Sequence, residues 1–141
     1  MEFDKLSNDI IGAAIDVHKA LGSGFLESIY HNALKIELSK KGIKFESERT
    51  VKIWYSNEEV GFHRLDLVVN DEIIVELKTV KEISNVHRAQ VMSYLKATGL
   101  EIGLILNFSK PTLEVRRADL RNPYSIPPKY DLIIERSHKD L

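Results

Sequence analysis

The sequence predicts an α/β domain in which a mixed β-sheet is flanked by helices, in the order α-α-β-β-β-α-β-β. Three observations carry this prediction. Two helical patterns open the chain, joined by a glycine turn. β-rich runs then follow one another across short polar turns, and a third helical pattern separates them from a wholly apolar run at 102–108. Helices that precede and split a set of strands find their apolar partners on the faces of one sheet.

Each element has its own signal. From Leu6 to Leu21, the residues Ile10, Ile11, Ala14, Ile15, Val17 and Leu21 recur with helical spacing. Gly22-Ser23-Gly24 stops that helix. A second pattern runs from about Phe25 to Lys41 through Leu26, Ile29, Tyr30, Ala33, Leu34 and Leu38, and Gly42 closes it. Ile43 to Tyr55 alternates in part, which suits a strand or a bent strand pair. Ser56-Asn57-Glu58-Glu59 reads as a turn, and Val60–Val69 with Ile73–Val80 as a hairpin across Asn70-Asp71-Glu72. Ser84 or Asn85 can cap a third helix from Val86 to about Thr98, closed by Gly99. Ile102–Phe108 reads as a central strand, because a strand buried on both faces loses its alternation. A last strand is expected near Leu113–Arg117. Residues 1–121 are expected to form one domain. Residues 122–141, with Pro123, Pro127 and Pro128, are expected to form an extended arm with a short strand at Leu132–Ile134.

Composition narrows the function classes. The 141 residues are 43% apolar and 29% charged, which excludes global disorder and fibrous architectures. Lys plus Arg number 20 and Asp plus Glu 21, so bulk positive charge cannot drive nucleic-acid coating, although a local basic groove can. The absence of cysteine excludes disulfide scaffolds, thiolate zinc sites and cysteine nucleophiles. No basic-then-apolar leader opens the sequence, and its longest apolar stretch is far below the roughly 18–20 residues that span a bilayer. A cytoplasmic protein with no membrane partner is the expectation.

The informative segment is Arg64-Leu65-Asp66 followed by Glu76-Leu77-Lys78, charged groups set inside apolar strands. An unpaired buried charge costs several kcal/mol, so such residues need one another or a ligand. Glu76 and Lys78 share a strand face, with Leu77 on the other. Register decides whether Asp66 joins them. A two-residue turn at Asn70-Asp71 sets Asp66 opposite Val75. A three-residue turn, or an equivalent bulge, pairs Val69 with Ile73 and brings Asp66 to Glu76, and this second register is expected. Two carboxylates then suit Mg²⁺ or Mn²⁺, and the lysine suits a phosphate or an attacking water. The plainer alternative is a cross-strand carboxylate–lysine ion pair on an exposed face.

Asp66, a hairpin, then Glu76-x-Lys78 resembles the core motif of the PD-(D/E)xK nuclease superfamily. Gln90-Val91-Met92-Ser93-Tyr94 is similar to the QxxxY motif of its lambda-exonuclease-like and RecB-like branch. Gly24-Phe25-Leu26-Glu27-Ser28-Ile29-Tyr30 fits GxxExxY, which names a family of small proteins in that superfamily. The resemblance spans roughly Ile10 to Leu120 and departs from the pattern at Leu65, where the superfamily name has proline. It implies a restriction-endonuclease-like fold and a Mg²⁺- or Mn²⁺-dependent nuclease acting on nucleic acid, DNA before RNA. Asp66, Glu76 and the Leu77 carbonyl would hold the metal, and Glu27 would reach it directly or through water. Lys78 would contact the water or the scissile phosphate, Gln90 would orient Lys78 or the water, and Tyr94 would pack against the site or touch phosphate.

Arg64 and His87 are candidate phosphate contacts, with an ion pair and a surface histidine as their plainer readings. Glu27 also suits a first helical turn through the macrodipole. Gln90 can also satisfy a buried backbone group, and Tyr30 and Tyr94 can serve as core aromatics. Lys110, Arg116, Arg117 and Arg121, with Lys81, Arg88 and Lys96, form basic clusters that suit phosphates or simply face solvent. No P-loop, zincin or serine-hydrolase motif is present. The competing function class is a nuclease-fold binding or assembly module with an idle or partner-dependent site. A second copy of the chain or a partner protein is a candidate partner under either reading.

Overall fold

The computed structural model describes residues 2–121; the proposed arm and its strand at Leu132–Ile134 lie outside them. The helices are α1 (Glu2–Leu21), α2 (Glu27–Lys40) and α3 (Asn85–Thr98). The strands are β1 (Phe45–Tyr55), β2 (Glu58–Val69), β3 (Ile73–Lys78), β4 (Ile102–Asn107) and β5 (Glu114–Asp119). One five-stranded sheet runs β1-β2-β3-β4-β5, antiparallel except for the β3–β4 pair, whose parallel crossover is α3. The predicted α/β class, mixed sheet and element order are all present.

The differences from the sequence reading lie at the ends of elements. Residues 45–55 form one strand rather than a bent pair. Only Ser56 and Asn57 make the first hairpin turn, both at left-handed φ (54° and 65°), so β2 starts at Glu58 instead of Val60. Helix α2 starts at Glu27 rather than Phe25, because Gly24 at φ 110° keeps the chain extended up to Leu26, the N-cap. Helix α1 begins before Leu6, and β5 runs one residue later at its start and two later at its end than predicted.

Two apolar layers sandwich the sheet. On one face α1 (Ile10, Ile11, Ala14, Val17) and α2 (Tyr30, Leu34, Leu38) pack on Leu67, Val69, Ile73, Val75, Leu77, Leu104 and Leu106. On the other, α3 (Val91, Tyr94, Leu95) packs on Leu65, Val68, Ile74, Ile105 and Ala118. β3 and β4 are therefore buried on both sides, which explains their unbroken apolar runs.

Helix α3 is held at both ends and pressed close to the sheet. Ser84 and His87 form a reciprocal capping box, and Gly99 closes the helix in the left-handed conformation. A methyl group on Gly103 of β4 would fall 2.5 Å from Val91 Cγ1 of α3. Val91 is fully buried and stiff at χ1, so it cannot swing aside. Gly103→Ala is expected to cost about 1–3 kcal/mol through overpacking, read as a lower midpoint in chemical denaturation with an unchanged slope.

Candidate active site

The β2–β3 hairpin sets the register of the site. Asn70 and Asp71 both take left-handed φ (52° and 55°), and the Glu72 N–H donates to the Val69 carbonyl at 2.9 Å. Asn and Asp tolerate that conformation better than most side chains. Glu72 then remains out of the ladder, and Val69 pairs with Ile73. This is the three-residue register that brings Asp66 to Glu76.

Regular pairing between β2 and β3 ends at Leu67–Val75, and side chains take over. The Asp66 N–H donates to Glu76 Oε2 at 2.9 Å, and the Leu77 N–H donates to Asp66 Oδ2 at 2.9 Å. Each carboxylate thus clasps the backbone of the other strand, while its second oxygen makes no hydrogen bond among the described residues. The Asp66 carbonyl lies 3.2 Å from His31 Nε2 of α2, which is also 3.5 Å from Ser47 Oγ. Opposite this break, Glu48 of β1 has a φ of 56°. The alternation of β2 is interrupted there: Leu65 packs on the α3 side and Leu67 on the α1–α2 side.

Electrostatics ties four further groups to this clasp. Glu76 is 4% exposed. Burial, and then the neighbouring Asp66 charge, push its carboxyl well above the ordinary range, against weaker opposition from the Asp66 N–H and Lys78. Glu27 stands in the first turn of α2, exposed as a residue. Neighbouring atoms still crowd its carboxyl enough that desolvation raises it, Asp66 raises it further, and Lys78 and His31 pull it down. Tyr94 is buried, and desolvation, Glu76 and Asp66 push its hydroxyl up to about 12. Its ring meets His63 of β2 edge-on at 4.5 Å. Lys78 is half-buried and forms no direct ion pair among the described residues, so the simple carboxylate–lysine pair is not what occupies these strands.

The site residues expected from the sequence divide into two groups. Glu27, Asp66, Glu76, Lys78 and Tyr94 share one electrostatic neighbourhood, with the Leu77 backbone bound into it through its N–H. Three others stand apart from the clasp. Gln90 is exposed, and its side chain makes no hydrogen bond among the described residues. His87 is engaged in the α3 cap, its Nδ1 accepting the Ser84 N–H at 2.9 Å. Arg64 is exposed, with no ion-pair partner among the described residues. The basic clusters are partly neutralised: Lys110 and Arg116 face Glu114 at 3.5 and 3.3 Å, and Arg121 meets Asp119 at 2.8 Å.

Sequence reasoning missed His31, His63 and Asn107. His31 lies one helical turn after Glu27, a spacing that could have placed it near the same strands. His63 alternates with Leu65 and so faces α3. Tyr30 acts structurally: its hydroxyl donates to the Gly22 carbonyl and accepts the Phe25 N–H, and its ring stacks on Phe108 at 4.6 Å. The loop that presents Glu27 is thereby fixed to the core.

The donor set fits a hard divalent cation. Among the described residues no three His, Asp or Glu side chains already stand in ligating geometry. A Mg²⁺-type ion, however, needs only one or two carboxylates besides waters and substrate oxygens. The strained ionisation of Glu76 beside Asp66 is the condition that a dication between them would relieve. No helix among the described residues is long and apolar enough to cross a membrane.

Comparisons with known proteins agree on the fold. No curated protein sequence matches the chain with significance. The crystal structure of SSO0001 is similar to it with a TM-score of 0.53 at 19% identity, over 65% of this chain and 48% of that one. The chain thus spans about half the length of that protein, and the likeness is one of fold. A family model of the PD-(D/E)XK nuclease superfamily matches residues 4–118. With that match covering most of its length, the chain belongs to the PD-(D/E)XK nuclease superfamily.

Proposed function

We propose that this protein is a Mg²⁺- or Mn²⁺-dependent phosphodiesterase of the GxxExxY group that cleaves nucleic acid, most readily DNA. The observation that carries the reading is the reciprocal clasp of Asp66 and Glu76, two carboxylates crowded together beside Lys78 where a ladder would otherwise continue. Asp66, Glu76 and the Leu77 carbonyl would hold the cation, with Glu27 reaching it through a water. A cation bound there supplies Lewis-acid chemistry that offsets the charge growing on the scissile phosphate.

The chain's own groups complete the reaction. Lys78 donates to a non-bridging phosphate oxygen or to the attacking water. Tyr94, its hydroxyl raised further above neutrality by burial, Glu76 and Asp66, keeps a proton to donate. Glu27, with its affinity for protons raised, is suited to take the proton of that water. Gln90, Arg64 and His87, outside the clasp itself, are candidate contacts for the substrate's phosphates. A second reading, a nuclease-fold binding or assembly module with an idle or partner-dependent site, draws its support from Gln90, which faces solvent rather than Lys78.

Labelled single- and double-stranded DNA and RNA, incubated with Mg²⁺ or Mn²⁺ and with EDTA, separate the two readings. Cleavage that needs the cation is expected, reduced about a hundredfold or more in Lys78→Ala. Divalent-cation binding followed by calorimetry is expected to be lost in Asp66→Asn. No cutting of any substrate, with no cation binding even in the presence of DNA, would favour the module. Cutting that survives both variants would come from a contaminant.

A further inference from the structure

One face of the β1–β2 ribbon presents two exposed rings, Trp54 and Phe62. Thr50 pairs with Arg64 and Lys52 with Phe62, so these four share a face, and Trp54 follows Lys52 by two on that same face. The intervening pair Val51 and His63 faces α3, where Val51 packs on its core and His63 meets Tyr94. The register slips between Ile53 and Trp54 and leaves Val60 as the extra residue of β2. Trp54 and Phe62 are 60% and 59% exposed on a part of the ribbon that no helix covers. Diagonal neighbours on an antiparallel pair stand about 7–8 Å apart, so each ring is open to a separate flat partner.

The charges around the rings select that partner. Arg64 is exposed, has no ion-pair partner among the described residues, and lies two residues before Asp66. Lys52 faces Glu59 at 3.7 Å, and Glu58 and Glu59 make the ribbon's tip acidic. A duplex hides its base faces and would press its phosphates against that tip. An unpaired strand offers base faces to the two rings and a phosphate to Arg64. A second copy of the chain would also cover apolar rings, but it would engage Arg64, which lies beyond Phe62 on the side away from the tip, only through a carboxylate of that copy.

We propose that the outer face of the β1–β2 ribbon, with Trp54 and Phe62 as stacking platforms and Arg64 as a phosphate contact, binds an unpaired nucleic-acid strand on the same β2 strand that carries Asp66. The inference rests on the nucleic-acid reading above and narrows it to substrates with single-stranded character.

Trp54 is the chain's one tryptophan, so its emission reports on this face alone. The test titrates Glu76→Gln protein, which holds strands without cutting them, with oligo(dT), oligo(U) and a DNA duplex. Single strands are expected to quench Trp54, with the duplex markedly weaker, and the dT and U arms compare a DNA strand with an RNA strand. Adding Phe62→Ala is expected to weaken strand binding tenfold or more, by fluorescence anisotropy. Arg64→Ala should reduce the slope of log K against log salt by about 0.7. Both side chains are exposed, so thermal midpoints should stay near that of the parent. Absent quenching with unchanged affinity in Phe62→Ala would overturn the proposal, as would stronger duplex binding that ignores both rings. Self-association in sedimentation that Trp54→Ala abolishes would also overturn it, assigning the face to a second copy. Ring-dependent strand binding without cleavage under any cation leaves the inference standing and removes the hydrolytic function. Cleavage by the wild type with ring-independent binding does the reverse.

Discussion

Glu76→Gln should abolish cation-dependent cleavage and at the same time make the cation-free protein more stable at neutral and alkaline pH. The two effects have one cause. Glu76 is a buried carboxyl whose ionisation is opposed first by burial and then by Asp66. Gln keeps an oxygen to accept the Asp66 N–H but removes the charge that a divalent cation needs. The loss in rate should be about a hundredfold or more, the scale of deleting a group that stabilises transition-state charge. For stability the sign follows from linkage. An acid whose folded pKa lies above its unfolded value binds protons more tightly when folded. Its stabilising contribution is complete below the unfolded value near 4.5 and declines as pH rises through the raised folded value. The cation-free wild type should therefore lose stability between about pH 5 and about pH 8, and Glu76→Gln should flatten that slope. Saturating Mg²⁺ or Mn²⁺ should flatten it in the wild type too, because binding favours the ionised pair. Thermal denaturation across pH, with and without cation, measures all three curves. A wild type equally stable at both ends, or a Gln variant that still cuts, would remove the argument.

Much of this centre was legible because strands obey counting rules. The three-residue connection between Val69 and Ile73 follows from placing two carboxylates on one face, and the structure has that register. Glu76 and Lys78 follow from simple alternation. Counting fails where the ladder fails. At Asp66 the backbone N–H goes to a Glu76 oxygen and the carbonyl to His31, so Leu65 and Leu67 pack on opposite layers. The alternation that would place Arg64 and Asp66 on one face is interrupted at that point. No periodicity encodes such a break, because its cause is a pair of side chains distant in sequence. Helical spacing had a similar limit on α3. Gln90 and Tyr94 are one turn apart, yet Tyr94 is buried against His63 of β2 while Gln90 is exposed, and in the turn that carries Gln90 it is Val91 that meets the sheet. His87 shares the Gln90 face by helical spacing, and its part in the α3 cap has no signal in that spacing.

Replacing Asn107 with Leu should be strongly destabilising, although no motif points to this residue. Asn107 ends β4 directly beside Lys78 and is fully buried. Its Oδ1 accepts the Val80 N–H at 3.0 Å and the Ser109 N–H at 3.2 Å. Its Nδ2 donates to the Val80 carbonyl at 2.8 Å and to Glu114 Oε1 at 2.9 Å. The amide thus uses its full hydrogen-bonding capacity. Glu114, itself 3% exposed, also accepts the Ile83 N–H at 3.3 Å. Between them the two side chains hold the segment 80–83 that joins Lys78 to α3. Leu would match the volume roughly but strand both polar groups of Val80 and one face of a buried carboxylate. Leaving such groups unpaired costs about 3–5 kcal/mol, several times the net worth of the bonds themselves. Asn107→Asp should be at least as harmful, because it exchanges the donor to Glu114 for a second negative charge. Glu114→Gln, which keeps an acceptor for Asn107 and Ile83, should cost much less. Urea denaturation of the three variants orders them, and hydrogen exchange at the Val80 and Ile83 amides locates the loss. If Asn107→Leu kept wild-type stability and protection, the loop would be held by the packing of Ile83 instead, and Lys78 would owe its position to β3 alone.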